Sequence, residues 1–176
     1  MHRGPEATSF RAPKRCGGDE RVGRDRNHYR FRTAWKIQAP PGHVYAVLER
    51  AERYPEWWPQ VRRLSRTGED SATLRIRSAL PYELSVTLRP VRRDPAAGIL
   101  QIRMSGDMDG WARWTIGPGS AAGTFVVFEQ EVEVNKRLLR VCAVPGRPLF
   151  IANHRLMMRS GLRGLRALLE RGLDEE

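Results

Sequence analysis

The chain has 176 residues, of which 40% are hydrophobic, and its formal net charge is +11. This length predicts one domain with a tail, and the hydrophobic fraction is enough for a packed core. A membrane span needs about 18 consecutive apolar residues, which the sequence lacks, and residues 1–26 contain no apolar run of signal-peptide length. We therefore expect a cytoplasmic protein.

Arginine supplies nearly all of the positive charge, because only Lys14, Lys36 and Lys136 are lysine among the 31 basic residues. Clustered cations can bind nucleic acid or an anionic membrane. No exposed strand shows the interleaved aromatic and basic pattern of an RNA-binding sheet. The charge is therefore interpreted first as a solvated surface, and a nucleic-acid partner is not expected.

Three segments differ in composition. Residues 1–26 mix Arg, Gly, Pro, Asp and Glu without a hydrophobic period, so they are expected to be a disordered basic tail. Residues 27–171 carry all the periodic patterns and form the predicted domain, and residues 172–176 follow as a short C-terminal tail. Cys16 and Cys142 have neither CxxC spacing nor a disulfide-rich context and are expected to be reduced.

The domain begins with a strand. Over residues 28–37, aromatic and aliphatic side chains alternate with polar ones, which is the period of a half-buried strand. Pro41 suits the first turn of a helix, and residues 43–53 have helical spacing of apolar side chains. Two prolines within residues 54–59 predict a bend that also contains Trp57 and Trp58.

Six further stretches alternate as strands. They are residues 61–68, 72–80, 82–93, 99–105, 111–116 and 124–134. The breaks between them are short and rich in Gly, Pro and Asp, so consecutive strands should pair as an antiparallel meander. In the last strand Gln130 is the single polar residue on the apolar face, and Glu129, Glu131 and Glu133 lie on the other. A sheet with one dry face needs a cover.

The C-terminal segment is the predicted cover. Residues from about 148 to 171 form an amphipathic helix roughly 35 Å long, enough to cross six or seven strands. Arg155, Arg159, Arg163 and Arg166 lie on its polar side. Its apolar side holds Phe150, His154, Met157, Met158, Gly161, Leu162, Leu165, Leu168 and Leu169.

This order of elements resembles the START/Bet v 1-like (SRPBCC) superfamily. The segments that carry the resemblance are residues 39–40, the 54–59 bend, residues 106–114 followed by 123–124, and the helix over 153–165. Within it, the chain is most similar to the bacterial polyketide cyclase/dehydrase and lipid-transport branch. The resemblance implies an α+β helix-grip fold, in which a curved seven-stranded antiparallel sheet wraps around a long C-terminal helix. It also implies a tunnel for lipids, sterols or polyketides. A minority of members catalyse cyclisation or dehydration, and no catalytic set of the family is matched here.

An apolar pocket between sheet and helix would be lined by side chains of their facing sides. The residues predicted to line it are Trp58, Ile76, Ser78, Leu80, Val86, Ile102, Met104, Trp114, Phe128, Gln130, His154, Met157 and Met158. For each apolar one, core packing is an equal alternative to ligand contact. One of Trp57 and Trp58 should anchor the bend, and the other should form part of the pocket wall. Gly161 either allows close helix packing or leaves ligand volume.

His154 is the most informative single residue, since an imidazole on an apolar helix face needs a hydrogen-bond partner or a ligand. One interpretation is a neutral ring bonded to Gln130, Ser78 or a backbone carbonyl. The other is a functional group, and as a general base it is only a weak catalytic candidate. No second ligand stands at metal spacing on that face, so no metal is expected. Nucleotide-binding and hydrolase motifs are also absent, and no cofactor is expected.

Three hypotheses follow. The first is a carrier or sensor that binds an apolar small molecule such as a lipid or polyketide. The alternative is a polyketide cyclase or dehydratase that acts on an aromatic or poly-keto substrate in the same cavity, with His154, Gln130 and Ser78 as polar contacts. The third is a transient contact of the arginine side of the last helix with an anionic membrane.

Overall fold

The computed structural model describes residues 27–77, 83–120, 123–135 and 143–173, the last range with side chains over 148–172. In chain order the elements are β1 (His28–Ile37), α1 (Pro41–Glu49), a 3-10 turn (Ala51–Arg53), α2 (Tyr54–Trp57), β2 (Val61–Gly68), β3 (Ser71–Arg77), β4 (Glu83–Asp94), β5 (Ile99–Gly106), β6 (Met108–Pro118), β7 (Thr124–Val134) and α3 (Ala143–Leu173). The tail over 1–26, both cysteines, Ser78 and Leu80 lie outside the described residues.

All seven strands form one antiparallel sheet in the order β1-β7-β6-β5-β4-β3-β2. The meander runs from β2 to β7, and β1 pairs with β7 in a register that places Phe31 opposite Gln130. Register shifts in β2, between Val61 and Arg63, and in β4, between Pro90 and Arg92, are irregularities of the kind that bend a sheet. The predicted α+β helix-grip fold is confirmed.

The two faces of the sheet differ as the alternation predicts. Leu84, Val86 and Leu88 of β4 are buried on the concave face. On the convex face, the β7 carboxylates pair with arginines of neighbouring strands. Arg113 Nη2 donates to Glu129 Oε2 at 2.8 Å, and Arg30 Nη2 donates to Glu131 Oε1 at 2.8 Å. The concave face is therefore the dry one that must be covered.

Helix α3 covers the concave face. Met158, Leu165 and Leu169 are buried, whereas the arginines of its other side are exposed. The helix spans 31 residues, and it begins at Ala143 rather than near Pro148, which lies inside it. The predicted start was too late, because a proline favours the first turn of a helix, whereas Pro148 is the sixth residue of α3 and lacks the N–H for one i→i−4 hydrogen bond.

The Trp57–Trp58 bend packs directly on α3. Trp58 Nε1 donates a hydrogen bond to the Met157 carbonyl oxygen at 3.0 Å. A Cβ added at Gly161 would lie 2.8 Å from Cε2 of Trp58, and one added at Gly164 would overlap the carbonyl oxygen of Trp57. Gly161 therefore allows close packing. The element that packs against it is not the sheet but helix α2 with the following Trp58, which we call the α2 bend.

Candidate ligand-binding cavity

A cavity of about 760 Å³ lies between the concave face of the sheet, the α2 bend and α3. Its volume falls in the range of about 300–1,000 Å³ that is usual for small-molecule sites. Every strand contributes to its wall, and most of the contributing side chains are aliphatic, aromatic or methionine. The fold thus leaves room inside its core instead of filling it.

Most of the residues that the sequence predicted for the pocket line this cavity. They are Trp58, Ile76, Ile102, Met104, Trp114, Phe128, Gln130, His154, Met157 and Met158. Val86 lies on the same face but is 0% exposed and is not part of the lining, so we place it in the core. The predicted Ser78 and Leu80 lie outside the described part of the chain.

Other lining residues were not predicted. They include Phe31, Tyr54, Leu64, Leu74, Leu84, Leu88, Met108, Ala112, Phe150 and Asn153. The alternation in β1 and β4 did mark Phe31, Leu84 and Leu88 as inward-facing. What it could not show was which inward side chains border the empty volume.

Aromatic rings form one continuous wall of the cavity. The ring centroids of Trp114 and Phe128 are 4.5 Å apart, and those of Trp58 and Trp114 are 6.4 Å apart. The Tyr54 hydroxyl donates to the Leu48 carbonyl oxygen at 2.7 Å, and burial raises the pKa of Tyr54. These packed rings make a rigid apolar surface with few rotatable bonds.

His154 is held flat against this aromatic region. Its ring stacks on Phe31, with a centroid distance of 3.7 Å and an interplanar angle of 9°. Burial lowers the pKa of His154 to about 4, so the imidazole is neutral at pH 7. Its Nε2 is buried and has no hydrogen-bond partner among the described residues. Burial favours the neutral ring that the sequence predicted, whereas Nε2 forms no bond to Gln130 or to a described backbone carbonyl.

Charged residues enter the lining only where the cavity opens. They are Glu49, Glu52, Arg66, Glu69, Asp70 and Arg93, and all except the half-buried Glu49 are exposed. They come from the end of α1, the 3-10 turn, the β2–β3 hairpin and the end of β4. The cavity is therefore mostly apolar, and the uncharged hydrophilic residues in its lining are Ser71, Gln101, Gln130, Asn153 and His154.

The acidic residues near the β5–β6 turn have structural roles. Asp107 Oδ2 accepts a hydrogen bond from Ser85 N at 2.9 Å, and Asp109 Oδ1 accepts one from Gly106 N at 2.9 Å. Among the described residues, no group of three or more His, Cys, Asp or Glu side chains is placed to hold a metal ion. No helix in that part of the chain is long and apolar enough to cross a membrane.

Comparison with known proteins identifies the family. The model of the family described as "Polyketide cyclase / dehydrase and lipid transport" matches residues 28–170. The chain belongs to this family. The family resemblance that the sequence predicted is thereby confirmed. No curated protein matches the chain significantly.

Several solved structures share the fold. The Zhui aromatase/cyclase from Streptomyces sp. R1128 is 16% identical with a TM-score of 0.69, covering 83% of this chain and 96% of that chain. A START superfamily protein from Mycobacterium smegmatis is 15% identical with a TM-score of 0.63, covering 81% and 97%. The di-domain ARO/CYC BexL, from the BE-7585A biosynthetic pathway, is 17% identical with a TM-score of 0.63, covering 85% and 52%. At such identities the likeness shows the fold alone.

Proposed function

We propose that the protein binds an apolar small molecule, such as a lipid or polyketide, between sheet and α3 and acts as a carrier or sensor. The observation that carries the proposal is the apolar cavity of about 760 Å³ in the core. Transfer of a ligand's apolar surface from water into such a cavity is favourable by about 25 cal/mol per Å² before the costs of association. The cytoplasmic location stays a prediction from the sequence.

Filling the cavity should abolish binding without unfolding the protein. Ala112 of β6 lines the cavity, opposite Ile102 of β5 and Gln130 of β7. A phenylalanine there would extend into the empty volume. We expect Ala112→Phe to raise the dissociation constants of apolar compounds about tenfold or more, which corresponds to about 1.4 kcal/mol or more. Displacement of a fluorescent lipid measures these constants.

Ala34→Phe is the matched control, because Ala34 is exposed on the outer face of β1. It should bind like the wild type. Native mass spectrometry after mild purification gives a second measurement, in which a co-purifying ligand is expected for the wild type and the control. If no ligand co-purifies and no compound in a broad apolar panel binds, the proposed function is wrong.

The cyclase or dehydratase alternative is supported by the presence of a neutral imidazole in the cavity wall. A neutral ring can accept a proton, and aromatase/cyclases occur among the proteins with this fold. However, a general base works best when its pKa is near the working pH, and the pKa of His154 is about 4. We therefore rank binding above catalysis. Full turnover of a defined poly-keto substrate by His154→Ala would exclude the proposed proton transfer.

Contact with an anionic membrane is supported by the exposed side of α3. Leu149 is 53% exposed and Leu156 is 47% exposed, and Arg155 and Arg159 lie beside them on the helix. Exposed leucine side chains beside arginines match the interface of a membrane with anionic headgroups.

Vesicle flotation tests this contact. Binding should require anionic lipid, weaken with salt, and fall several-fold in a Leu149→Ser, Leu156→Ser double variant. Val91→Ser is the control, since Val91 is 58% exposed on β4 and far from α3 in sequence. Equal binding to neutral vesicles, or none to anionic ones, would contradict the membrane contact.

A further inference from the structure

One amide side chain stands on the sheet floor of the cavity. Gln130 of β7 lines the cavity and lies between Phe31 of β1 and Ala112 of β6. Its neighbours on the same face of β7, Phe128 and Val132, are buried apolar residues. Because an amide among apolar side chains costs free energy unless it is hydrogen-bonded, a glutamine at this position calls for a partner.

The amide of Gln130 is accessible and unpaired. Gln130 is half-buried, and neither its Oε1 nor its Nε2 is fully buried. No residue in the described part of the chain forms a hydrogen bond with these two atoms. Since β1 and β6 flank β7 in the sheet, the accessible part of this side chain faces the cavity. A ligand in the cavity can therefore reach the amide directly.

Two polar residues of α3 also line the cavity and are less available to a ligand. Nε2 of His154 is buried, and Nδ2 of Asn153 donates to Met157 Sδ at 3.6 Å. The charged lining residues come from α1, the 3-10 turn, the β2–β3 hairpin and the end of β4, which are not neighbours of β7 in the sheet. An ionised ligand group beside Gln130 would lose its hydration without meeting an opposite charge, so a neutral group is favoured there.

We propose that Gln130 determines the ligand specificity of the cavity by selecting apolar ligands that carry a neutral oxygen, as a hydroxyl or a carbonyl, over hydrocarbons of the same shape. This inference rests on the proposed function. An amide both donates and accepts, so it pairs with a hydroxyl through either end and with a carbonyl through its N–H. A hydrocarbon over Gln130 would instead remove solvent from the amide and leave it unpaired, which weakens binding.

Matched fluorescent probes test the selection. The dissociation constants of pyrene, 1-hydroxypyrene and 1-pyrenecarboxaldehyde are measured for the wild type, Gln130→Met and Gln38→Met. Methionine keeps the unbranched shape of glutamine and removes the amide donor and acceptor. Gln38 is exposed just after β1 and does not line the cavity, so its variant is the matched control.

The wild type and Gln38→Met should bind both oxygen-bearing probes about tenfold more tightly than pyrene. In Gln130→Met the preference should fall below about twofold, because the affinity for pyrene rises and that for the other probes falls. If all three probes bind the wild type equally, or the preference survives in Gln130→Met, the inference is overturned and the proposed function stands. If neither these probes nor any compound of the broad panel binds the wild type, the proposed function itself fails.

The stability of the variant separates a role in binding from a role in folding. Gln130→Met should resist urea at least as well as the wild type, because it replaces an unpaired amide by an apolar group of similar length. A variant that fails to fold would show that the amide is needed for packing, and it would overturn the inference.

A crystal structure of the wild type with 1-hydroxypyrene needs no variant. The hydroxyl oxygen should lie within about 3.2 Å of Oε1 or Nε2 of Gln130. A hydroxyl that bonds to another residue instead would contradict the selection by Gln130.

Discussion

Replacing Gly164 with alanine should lower the free energy of unfolding by about 3 kcal/mol, although alanine is the better helix former. A Cβ at this position would overlap the backbone carbonyl oxygen of Trp57. That oxygen belongs to the α2 bend, which is tied to α3 through the hydrogen bond from Trp58 to Met157. The backbone cannot move away without displacing two buried tryptophans.

Gly172→Ala is the matched control in the same helix, because a Cβ there would meet no atom within 4 Å. Helix propensity alone should then act, and the control should be neutral or more stable by up to about 1 kcal/mol. Gly161→Ala should fall between the two, since its Cβ would lie 2.8 Å from a side-chain ring that must shift, rather than overlap a backbone atom. Urea unfolding followed by circular dichroism measures all three. Equal effects of Gly164→Ala and Gly172→Ala would show that the bend does not pack on α3 as described.

Acidification should destabilise the protein through His154. Its pKa is about 4 in the folded state, against an ordinary value of 6.5, because burial disfavours the charged ring. Above pH 6.5 both states hold a neutral imidazole, and no pH dependence arises from this residue. Between pH 6.5 and pH 4 the unfolded chain takes up a proton that the folded protein does not, so the free energy of unfolding falls as the pH falls. The total loss should be about 3 kcal/mol, with little further loss below pH 4.

The comparison of the wild type with His154→Phe isolates this contribution. Carboxylates such as Glu131, whose pKa is lowered chiefly by its hydrogen bond from Arg30, titrate in both proteins and cancel in the difference. Unfolding in urea at several pH values should give a difference in stability that changes by about 3 kcal/mol between pH 7 and pH 4. His43→Phe, which replaces an exposed histidine on α1, is the matched control. A difference that does not vary with pH would mean that His154 is not buried as a neutral ring.

The elements of the fold could be predicted from local patterns. The alternation in β1 and β7 comes from the two-residue period of a strand, and it marks its faces without any knowledge of the partner strand. The amphipathic pattern of α3 likewise separates Leu165 and Leu169 from the arginines. Element ends were predicted less well: α3 begins at Ala143 and contains Pro148, although proline preferences place this residue at the start of a helix.

The candidate site could be predicted only in part, because a sequence pattern separates inward from outward side chains but not core from cavity wall. Val86 and Leu84 share one face of β4, and only Leu84 borders the empty volume. Whether His154 Nε2 finds a partner depends on the sheet register and on the placement of α3, which bring the ring against Phe31.

The sequence by itself therefore determined that an apolar sheet face meets an apolar helix face, because periodicity is a local property of the chain. It also marked Gly161 and His154 as residues out of place on such a helix. Only the tertiary structure decided that the glycine admits the ring of Trp58, and that Gly164 admits the Trp57 carbonyl. The space left between the packed elements, and the burial of His154 Nε2 without a partner among the described residues, are likewise decided only in the tertiary structure, because they depend on distances between residues far apart in the chain.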